Sequence, residues 1–374
     1  MKYKYLACLF LFPLALWQPA YSQEDSEATA EAEEEDGGKF LVLPIFITEP
    51  AIGEGLGAGL VYFHANRDPD QPRVTTAQSL NRADRRQKPP PTATGAFAFY
   101  TNDDTSGVGI GHSRTFKDDT YRLMAALADA KINATYYVSD NPFGFTLEGE
   151  LLFAKLKRRL GNSYMFAGLS TSYVNATTIF GTNPDAPAGP GIPDFSFTDV
   201  GLAANLIYDS RDDSMMPTTG QLAELALWRY DDVFGGDFNY TSSTFKWNFF
   251  RTLGKRFVLG LRFEVSAASG DVPFYAESFV KLRGIPALRY QGEVAGVVET
   301  EVRYQFASRW AVLAFGGVGF TNERTMANET EDDINAYGVG LRYLALREQS
   351  VWIGLDVARG PENDAFYIQM THPW

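Results

Sequence analysis

The last nine residues, Phe366 to Trp374, constrain the fold of this chain more than any other segment. In an extended segment, successive side chains point to opposite faces. One face would be semi-polar and the other apolar, the apolar one comprising Phe366, Ile368, Met370 and Trp374. A strand that is apolar on one side and closes on an aromatic is typical of a β-barrel that spans a bilayer, with lipid outside and water inside. The terminus therefore predicts a membrane barrel.

The first residues of the chain predict export. Two lysines precede an apolar run, Leu6–Trp17, and the triplet at 20–22 offers small residues where a signal peptidase cleaves. We therefore expect a signal peptide over residues 1–22. A transmembrane anchor is the alternative, but the apolar run is too short to span a bilayer. On an exported chain, the terminal strand resembles the C-terminal signal of Gram-negative outer-membrane barrels, from which His372 and Pro373 depart.

Composition excludes several other classes of protein. Cys8 is the only cysteine and lies in the signal segment, so the exported chain has no thiol for disulfides, catalysis or metal binding. The net charge is -13, and the segment from Glu24 to Asp36 carries eight acids and no base. This balance excludes a general nucleic-acid binder. We expect residues 23–39 to form an acidic, disordered periplasmic tail.

From residue 40 onward, apolar and polar residues alternate with a period of two. We predict an all-β domain over residues 40–374, a transmembrane antiparallel barrel of sixteen strands with both ends in the periplasm. The first predicted strand is Leu56–His64, the fourth and fifth are Thr120–Ala128 and Lys131–Val138, and the last is Asp364–Thr371. A soluble β-sandwich would alternate too, but it needs neither the signal peptide nor the terminal aromatic strand.

The connections between predicted strands fall into a short set and a long set, and barrels of this kind have short periplasmic turns and long outer loops. The short set includes Thr252–Gly254 and Ala307–Ser308. We expect the long set to lie outside the cell, and it consists of Ala65–Ala93, Thr177–Ser196, Ser269–Gly292 and Thr321–Ile334.

A short motif indicates which family of outer-membrane barrels the chain resembles. Leu282, Arg283 and Gly284 lie in the loop Ser269–Gly292, which precedes a strand with two glutamates. This resembles the barrel superfamily of outer-membrane assembly and secretion translocases, also called bacterial surface antigens. In that family an Arg-Gly dipeptide, on the loop before the twelfth strand, folds back into the lumen. The resemblance therefore implies an inward-folding loop.

The resemblance covers the whole barrel and has specific departures. The turn from Asp209 to Gly220 is similar to the family's periplasmic turn between the eighth and ninth strands. Ile285 replaces an aromatic, and Gly317 stands where an aspartate facing the arginine is usual. Residues 23–39 are too short for even one POTRA module. The chain thus resembles the barrel-only branch of the family.

A guanidinium inside a barrel needs carboxylates in a fixed geometry, which a bidentate pair provides. Glu299 and Glu301 face inward in the predicted strand and are the candidate loop-anchoring partners of Arg283. Gly284 would let the loop backbone approach the wall closely. The alternative is that Arg283 is a solvated loop cation.

No motif predicts catalysis or a bound cofactor. The glycines of Gly53–Gly59 resemble a phosphate loop, but a strand rather than a helix follows them. The three histidines, at positions 64, 112 and 372, lack the spacing of metal ligands. We therefore expect no enzymatic activity, no metal and no cofactor.

Two functional hypotheses remain. The first is an insertion or translocation barrel in the outer membrane of a Gram-negative bacterium, opening sideways between Leu56–His64 and Asp364–Thr371. Its partners would be outer-membrane lipids and periplasmic partner or client proteins. The second is a passive pore or structural barrel. A sixteen-stranded barrel is wide enough for an aqueous lumen unless a loop fills it, so the position of Ser269–Gly292 distinguishes the two.

Overall fold

The computed structural model describes residues 39–49, 53–64, 90, 92–138, 141–180, 194–322, 334–346, 351–361, 364–370 and 372–374. Sixteen strands form one sheet in which each strand is antiparallel to its chain neighbours. Within the described residues, no helix is long and apolar enough to cross a bilayer. The sixteen strands are β1 (Lys39–Glu49), β2 (Gly53–Phe63), β3 (Ala93–Thr101), β4 (Ser106–Phe116), β5 (Tyr121–Val138), β6 (Asn141–Arg159), β7 (Met165–Phe180), β8 (Phe195–Asp209), β9 (Gly220–Tyr230), β10 (Tyr240–Leu253), β11 (Phe257–Gly270), β14 (Val294–Gln305), β15 (Trp310–Thr321), β16 (Asn335–Leu346), β17 (Val351–Arg359) and β18 (Asp364–Met370).

Two smaller elements complete the described chain. A hairpin of β12 (Ser278–Phe279) and β13 (Gln291–Gly292) interrupts the connection between β11 and β14. A single 3-10 turn, Asp232–Phe234, follows β9. The all-β class and the sixteen-stranded antiparallel barrel predicted from the sequence are confirmed.

Side chains alternate between an apolar outer face and a polar inner one, as lipid outside and a filled lumen require. In β14, Val298 and Val302 are exposed on the outer face, whereas Glu299 and Glu301 are buried on the inner face. In β17, the outward Val357 is exposed and the inward Asp356 is fully buried. This alternation gives the barrel its apolar belt and places the ionisable groups inside.

The predicted strand count was correct, but two strand assignments were wrong and compensate each other. The structure adds β1, which contains Pro44 and precedes the predicted first strand. Proline normally argues against a strand, but it is tolerated at a sheet edge, and β1 is an edge strand. The predicted fourth and fifth strands are one strand, β5, in which Asp129 pairs across from Glu150 rather than forming a turn.

These two errors also misplaced one long loop. Lys39 pairs with Phe63, so the connection between β2 and β3 starts at the end of the barrel where the described chain begins and ends. We call this the terminal end, and the opposite one the far end. The prediction that Ala65–Ala93 lies with the other long loops was therefore wrong. The connections after β7, β11 and β15 lie at the far end, as predicted.

The barrel is nearly closed and has one unsealed seam. Strands β1 and β18 lie side by side, yet the sheet order ends at these two strands, and no ladder joins them among the described residues. The predicted seam used Leu56–His64, which corresponds to β2 and is fully paired on both sides. The seam strand is β1 because the chain enters the sheet earlier than predicted. The predicted signal peptide and nearly all of the acidic tail, residues 1–38, lie outside the described residues.

Candidate functional site: the lumenal loop and its anchor

The connection between β11 and β14 folds into the lumen of the barrel. This connection begins after Gly270, the last residue of β11. The apolar side chains of the connection are buried against the inner wall, and they include Val280, Leu282, Ile285 and Leu288. The hairpin of β12 and β13 holds the two ends of the inner segment together. The loop therefore fills space that would otherwise be an aqueous channel.

Arg283 is the centre of a buried charge cluster. Its Nε donates to Oε1 of Glu299 at 2.7 Å, its Nη2 donates to Oε2 of Glu301 at 3.0 Å, and its Nη1 donates to Oδ2 of Asp356 at 3.1 Å. The Arg283 guanidinium also lies 3.6 Å above the ring of Phe315. Burial alone would lower the pKa of Arg283, but the three carboxylates raise it above its ordinary value. The guanidinium is thus permanently charged and held from three sides.

The neighbouring carboxylates have further cationic partners. Arg262 donates to Glu299 at 3.2 Å and to Glu264 at 2.8 Å, and Lys281 donates to Glu264 at 3.3 Å. Arg342 forms a bidentate pair with Asp356. Four cations thus face four carboxylates: Arg262, Lys281, Arg283 and Arg342 against Glu264, Glu299, Glu301 and Asp356. Because the charges balance and each carboxylate is hydrogen-bonded, the cluster is compatible with burial.

Gly284 lets the loop touch the barrel wall. Its φ is +94°, and a Cβ atom there would lie 3.1 Å from the Cβ of Ala336 and 3.3 Å from that of Ala358. Its amide donates to the hydroxyl of Tyr367, on β18, at 2.9 Å. Only glycine combines this backbone conformation with so close an approach.

The departure at Gly317 also has a local explanation. A Cβ atom on Gly317 would lie 2.7 Å from Cδ1 of Leu282, so the missing side chain makes room for the leucine before the arginine. The third carboxylate comes instead from Asp356 on β17. The anchor is therefore built from other positions of the wall than the family pattern implies.

The first half of the loop packs against the opposite wall. The ring of Tyr275 stacks on that of Phe197 with centroids 4.6 Å apart, and Phe274 lies edge-on to Phe145 at 6.0 Å. These partners lie on β8 and β6, whereas the Arg283 anchor contacts β14, β17 and β18. The loop therefore bridges the lumen, and beside Tyr275 it leaves a cavity of about 150 Å³.

The C-terminal residues turn into the lumen at the terminal end. Phe366 is exposed on the outer face as predicted, and the side chain of Met370 is outside the described residues. Trp374 was predicted on the same outer face, which is wrong: it is buried and lies 6.1 Å from Phe250, an inward residue of β10. Because β18 ends at Met370, the tail no longer follows strand alternation. Ile368 is partly buried on β18.

His372 ties this tail to the charge cluster. Its Nε2 lies 3.3 Å from Oε1 of Glu301, its amide donates to the carbonyl of Met215 at 2.9 Å, and its Nδ1 accepts from the amide of Trp374 at 3.3 Å. Burial lowers the pKa of His372 to about 4, against the pull of Glu301. The imidazole is therefore neutral at pH 7, with the Nε2 proton directed at Glu301.

The tail rests on the turn between β8 and β9. In this turn Asp212 accepts from the amides of Thr218 and Thr219 at 2.9 and 3.1 Å, and Asp213 accepts from the amide of Met215 at 2.6 Å. These bonds explain why the segment from Asp209 to Gly220 is rich in aspartate, because carboxylates close turns onto nearby amides. The turn thereby presents the Met215 carbonyl to the tail.

Sequence reasoning brought together Arg283, Glu299 and Glu301, and the structure places all three in contact. It missed Asp356 and Arg342, although each is a lone inward charge in an otherwise apolar strand. That pattern is a usable signal, but the partner of such a charge depends on which strands lie across the lumen.

Two of the three histidines, which are far apart in the sequence, share a hydrogen-bonding partner in the structure. His64 and His112 both hydrogen-bond to the hydroxyl of Thr94 at 2.8 Å. Their rings are 5.6 Å apart. His64 follows β2 and His112 lies on β4, so the two rings meet across β3, which carries Thr94. Among the described residues, no group of three or more His, Cys, Asp or Glu side chains could hold a metal ion.

A sixteen-stranded barrel with an apolar outer belt, an unsealed seam and a loop bridging its lumen defines the class of transmembrane outer-membrane β-barrels. Residues 73–281 match the Omp85 superfamily domain. The chain belongs to the Omp85 superfamily, whose barrels reside in the outer membrane of Gram-negative bacteria. A comparison with curated protein sequences finds no match.

Solved structures agree on the fold. The chain is similar to BamA from Haemophilus ducreyi lacking POTRA domains 1-3, with 12% identity and a TM-score of 0.57 over 91% of this chain and 70% of that one. It is also similar to CdiB from Acinetobacter baumannii, with 9% identity and a TM-score of 0.57 over 89% of this chain and 59% of that one. CdiB from Escherichia coli is similar as well, with 11% identity and a TM-score of 0.57 over 91% of this chain and 63% of that one. The chain thus spans about three fifths of the CdiB chains.

Proposed function

We propose that the protein inserts or translocates substrates, either outer-membrane proteins or lipids, by opening its wall at the seam between β1 and β18. The observation that carries the proposal is the unsealed seam in a barrel of the Omp85 superfamily. The edges of both strands offer unpaired backbone groups to an incoming strand. The proposal includes no catalytic step and no cofactor.

Two local features favour opening at this seam. Pro44 in β1 has no backbone N–H, so it removes one donor from that strand. Strand β18 has seven residues against eleven in β1, so the two edges cannot pair along the full length of β1. Both features lower the number of hydrogen bonds that would have to break for the wall to part.

Contacts between the loop and β18 support a role of the loop in controlling this side of the seam. Gly284 donates to Tyr367, and Arg342, which shares Asp356 with Arg283, donates to Gln369 at 3.1 Å. Tyr367 and Gln369 both belong to β18. We therefore infer that the anchored loop holds β18 in place, and that release of the loop would free this edge.

The alternative function is a passive pore or a structural barrel. An open pore needs a continuous aqueous lumen, whereas the bridging loop divides this one. For this reason we propose insertion or translocation ahead of passive conduction.

A disulfide that locks the seam tests the proposal. Cysteines scanned along Leu43–Ile47 of β1 and along Ala365–Gln369 of β18 would identify a pair that cross-links on oxidation. The matched control is Ala204→Cys with Leu227→Cys, which face each other on the paired strands β8 and β9. In cells whose only copy is the locked protein, we expect altered outer-membrane protein or lipid composition that reverts on reduction, while the control changes nothing. An unchanged membrane with a fully locked seam would refute the proposal.

A further inference from the structure

A basic and aromatic surface lies at the β4–β5 turn, at the terminal end of the barrel. The rings of Phe116 and Tyr121 are stacked with centroids 5.3 Å apart. Three cations surround this pair: Arg114 lies 5.6 Å from the Phe116 centroid, and Lys117 and Arg158 lie 5.5 and 5.8 Å from the Tyr121 centroid. We call these five residues the rim patch.

The rim patch faces outward and continues the apolar belt. Arg114 follows the exposed Ile110 on the same face of β4, and Arg158 follows the exposed Leu156 on β6. Tyr121 pairs directly with Arg158 across β5 and β6. The patch therefore begins where the lipid-facing surface ends, at the level where aromatic side chains and snorkelling cations meet lipid headgroups.

The cations of the rim patch are not neutralised by their surroundings. Asp119, on the same turn, points its carboxylate into the lumen, where it accepts from Arg122 at 2.5 Å and also from Arg159. Among the described residues, no carboxylate forms an ion pair with any of the three patch cations, and the exposed Asp118 at the tip of the turn is the nearest acid along the chain. The outer side of the turn thus keeps a net positive charge.

A second surface of the same composition lies at the β10–β11 turn. The rings of Phe257 and Tyr304 stack with centroids 4.7 Å apart, and Arg256 donates to the Tyr304 hydroxyl at 3.4 Å. Arg251 and Lys255 are exposed beside them. This second surface lies at the same end of the barrel as the rim patch.

The outer surface changes sign midway along the same hairpin. There, Asp129 of β5 and Glu150 of β6 are exposed and face each other across the ladder. The hairpin therefore carries the rim patch at its terminal end and two facing acids near its middle.

We propose that the rim patch binds the phosphate of an anionic phospholipid in the periplasmic leaflet. Guanidinium and ammonium groups supply charge-assisted hydrogen bonds to phosphate oxygens, and a cluster of cations beside the membrane attracts anionic lipid. The stacked Phe116 and Tyr121 would hold the cations at headgroup depth and cover the glycerol region of the lipid. The orientation follows from the short turns, which lie at the periplasmic end of such barrels.

The test measures lipid selectivity of the intact barrel reconstituted in phosphatidylcholine vesicles. Spin-labelled phosphatidylglycerol and phosphatidylcholine compete for the barrel surface, and electron spin resonance gives their relative association. We expect a preference for phosphatidylglycerol that weakens in high salt. In the Arg114→Gln/Lys117→Gln/Arg158→Gln variant, we expect the preference for phosphatidylglycerol to fall by at least about fivefold, which is the factor that one interfacial cation contributes.

The matched control neutralises outward arginines at the far end, Arg229→Gln with Arg359→Gln, both of which are exposed. Heat-modifiable gel mobility verifies that every variant is folded. A loss confined to the rim variant supports the proposal. Equal losses in both variants, or no preference in the unmodified protein, would overturn it. The acidic segment Glu24–Asp36 is the competing occupant: if anionic lipid associates with the rim only after its deletion, that segment rather than lipid occupies the patch, and the proposal fails.

Discussion

Replacing Arg283 by alanine would remove the central cation of the lumenal cluster. The remaining contacts predict which carboxylate would be left without a cationic partner. Glu299 would keep Arg262 at 3.2 Å, and Asp356 would keep its bidentate partner Arg342. Among the described residues, Glu301 would keep only the neutral imidazole of His372, at 3.3 Å, as a direct partner, while Arg303 and Arg342 act on it from longer range. The uncompensated charge therefore resides mainly on Glu301.

The size of the effect can be bounded in two ways. Breaking one partner from a buried ion pair costs about 3–5 kcal/mol. A carboxyl group with an ordinary glutamate pKa can instead take up a proton at pH 7 for about 4 kcal/mol, and this limits the cost. We therefore expect Arg283→Ala to lower the free energy of unfolding by about 3–4 kcal/mol.

The assay is urea unfolding of the barrel folded into lipid vesicles, combined with double-mutant cycles between Arg283→Ala and a glutamine or asparagine at each carboxylate. The coupling energy should be largest at Glu301 and smaller at Glu299 and Asp356, whose second cations remain. Arg359→Ala is the control, because this second Arg-Gly arginine is exposed and its contact with Asp364 is 3.7 Å long. Coupling below about 0.5 kcal/mol at all three carboxylates would refute the reasoning.

Further predictions concern the loop and the tail. Deleting Val280–Gln291 should raise conductance in planar bilayers, and a steady, large conductance from the intact protein would contradict a filled lumen. Gly284→Ala should cost about 1–3 kcal/mol in unfolding free energy and exceed Gly235→Ala, because both glycines have φ near +90° but only Gly284 faces neighbouring atoms. The pKa of His372 is about 4 in the folded tail and 6.5 in the released tail. The released tail therefore binds more protons than the folded tail between about pH 4 and pH 6.5. Tail contact should therefore weaken as pH falls from 6.5 to 4, by up to about 3 kcal/mol. Labelling of Pro373→Cys should rise over this range and stay level in a His372→Gln background.

Local patterns in the amino-acid sequence were sufficient to predict the fold class and the direction of most side chains. Alternation is a local property, because each residue of a membrane strand faces either lipid or lumen. For the same reason Glu299 and Glu301 could be assigned to the lumen, and the resemblance around Arg283 could supply their partner. These inferences needed neighbours along the chain and no knowledge of the pairing.

Features that depend on partners distant in sequence became evident only from the folded barrel. Pro44 is acceptable because β1 lies at the seam, and Asp129 continues a strand because Glu150 lies opposite. Asp356 reaches Arg283 across 73 residues of sequence. Trp374 enters the lumen because the strand ends before it and Phe250 offers an inward surface. A sequence pattern reports which face a side chain takes, whereas closing the sheet decides which faces meet across the lumen.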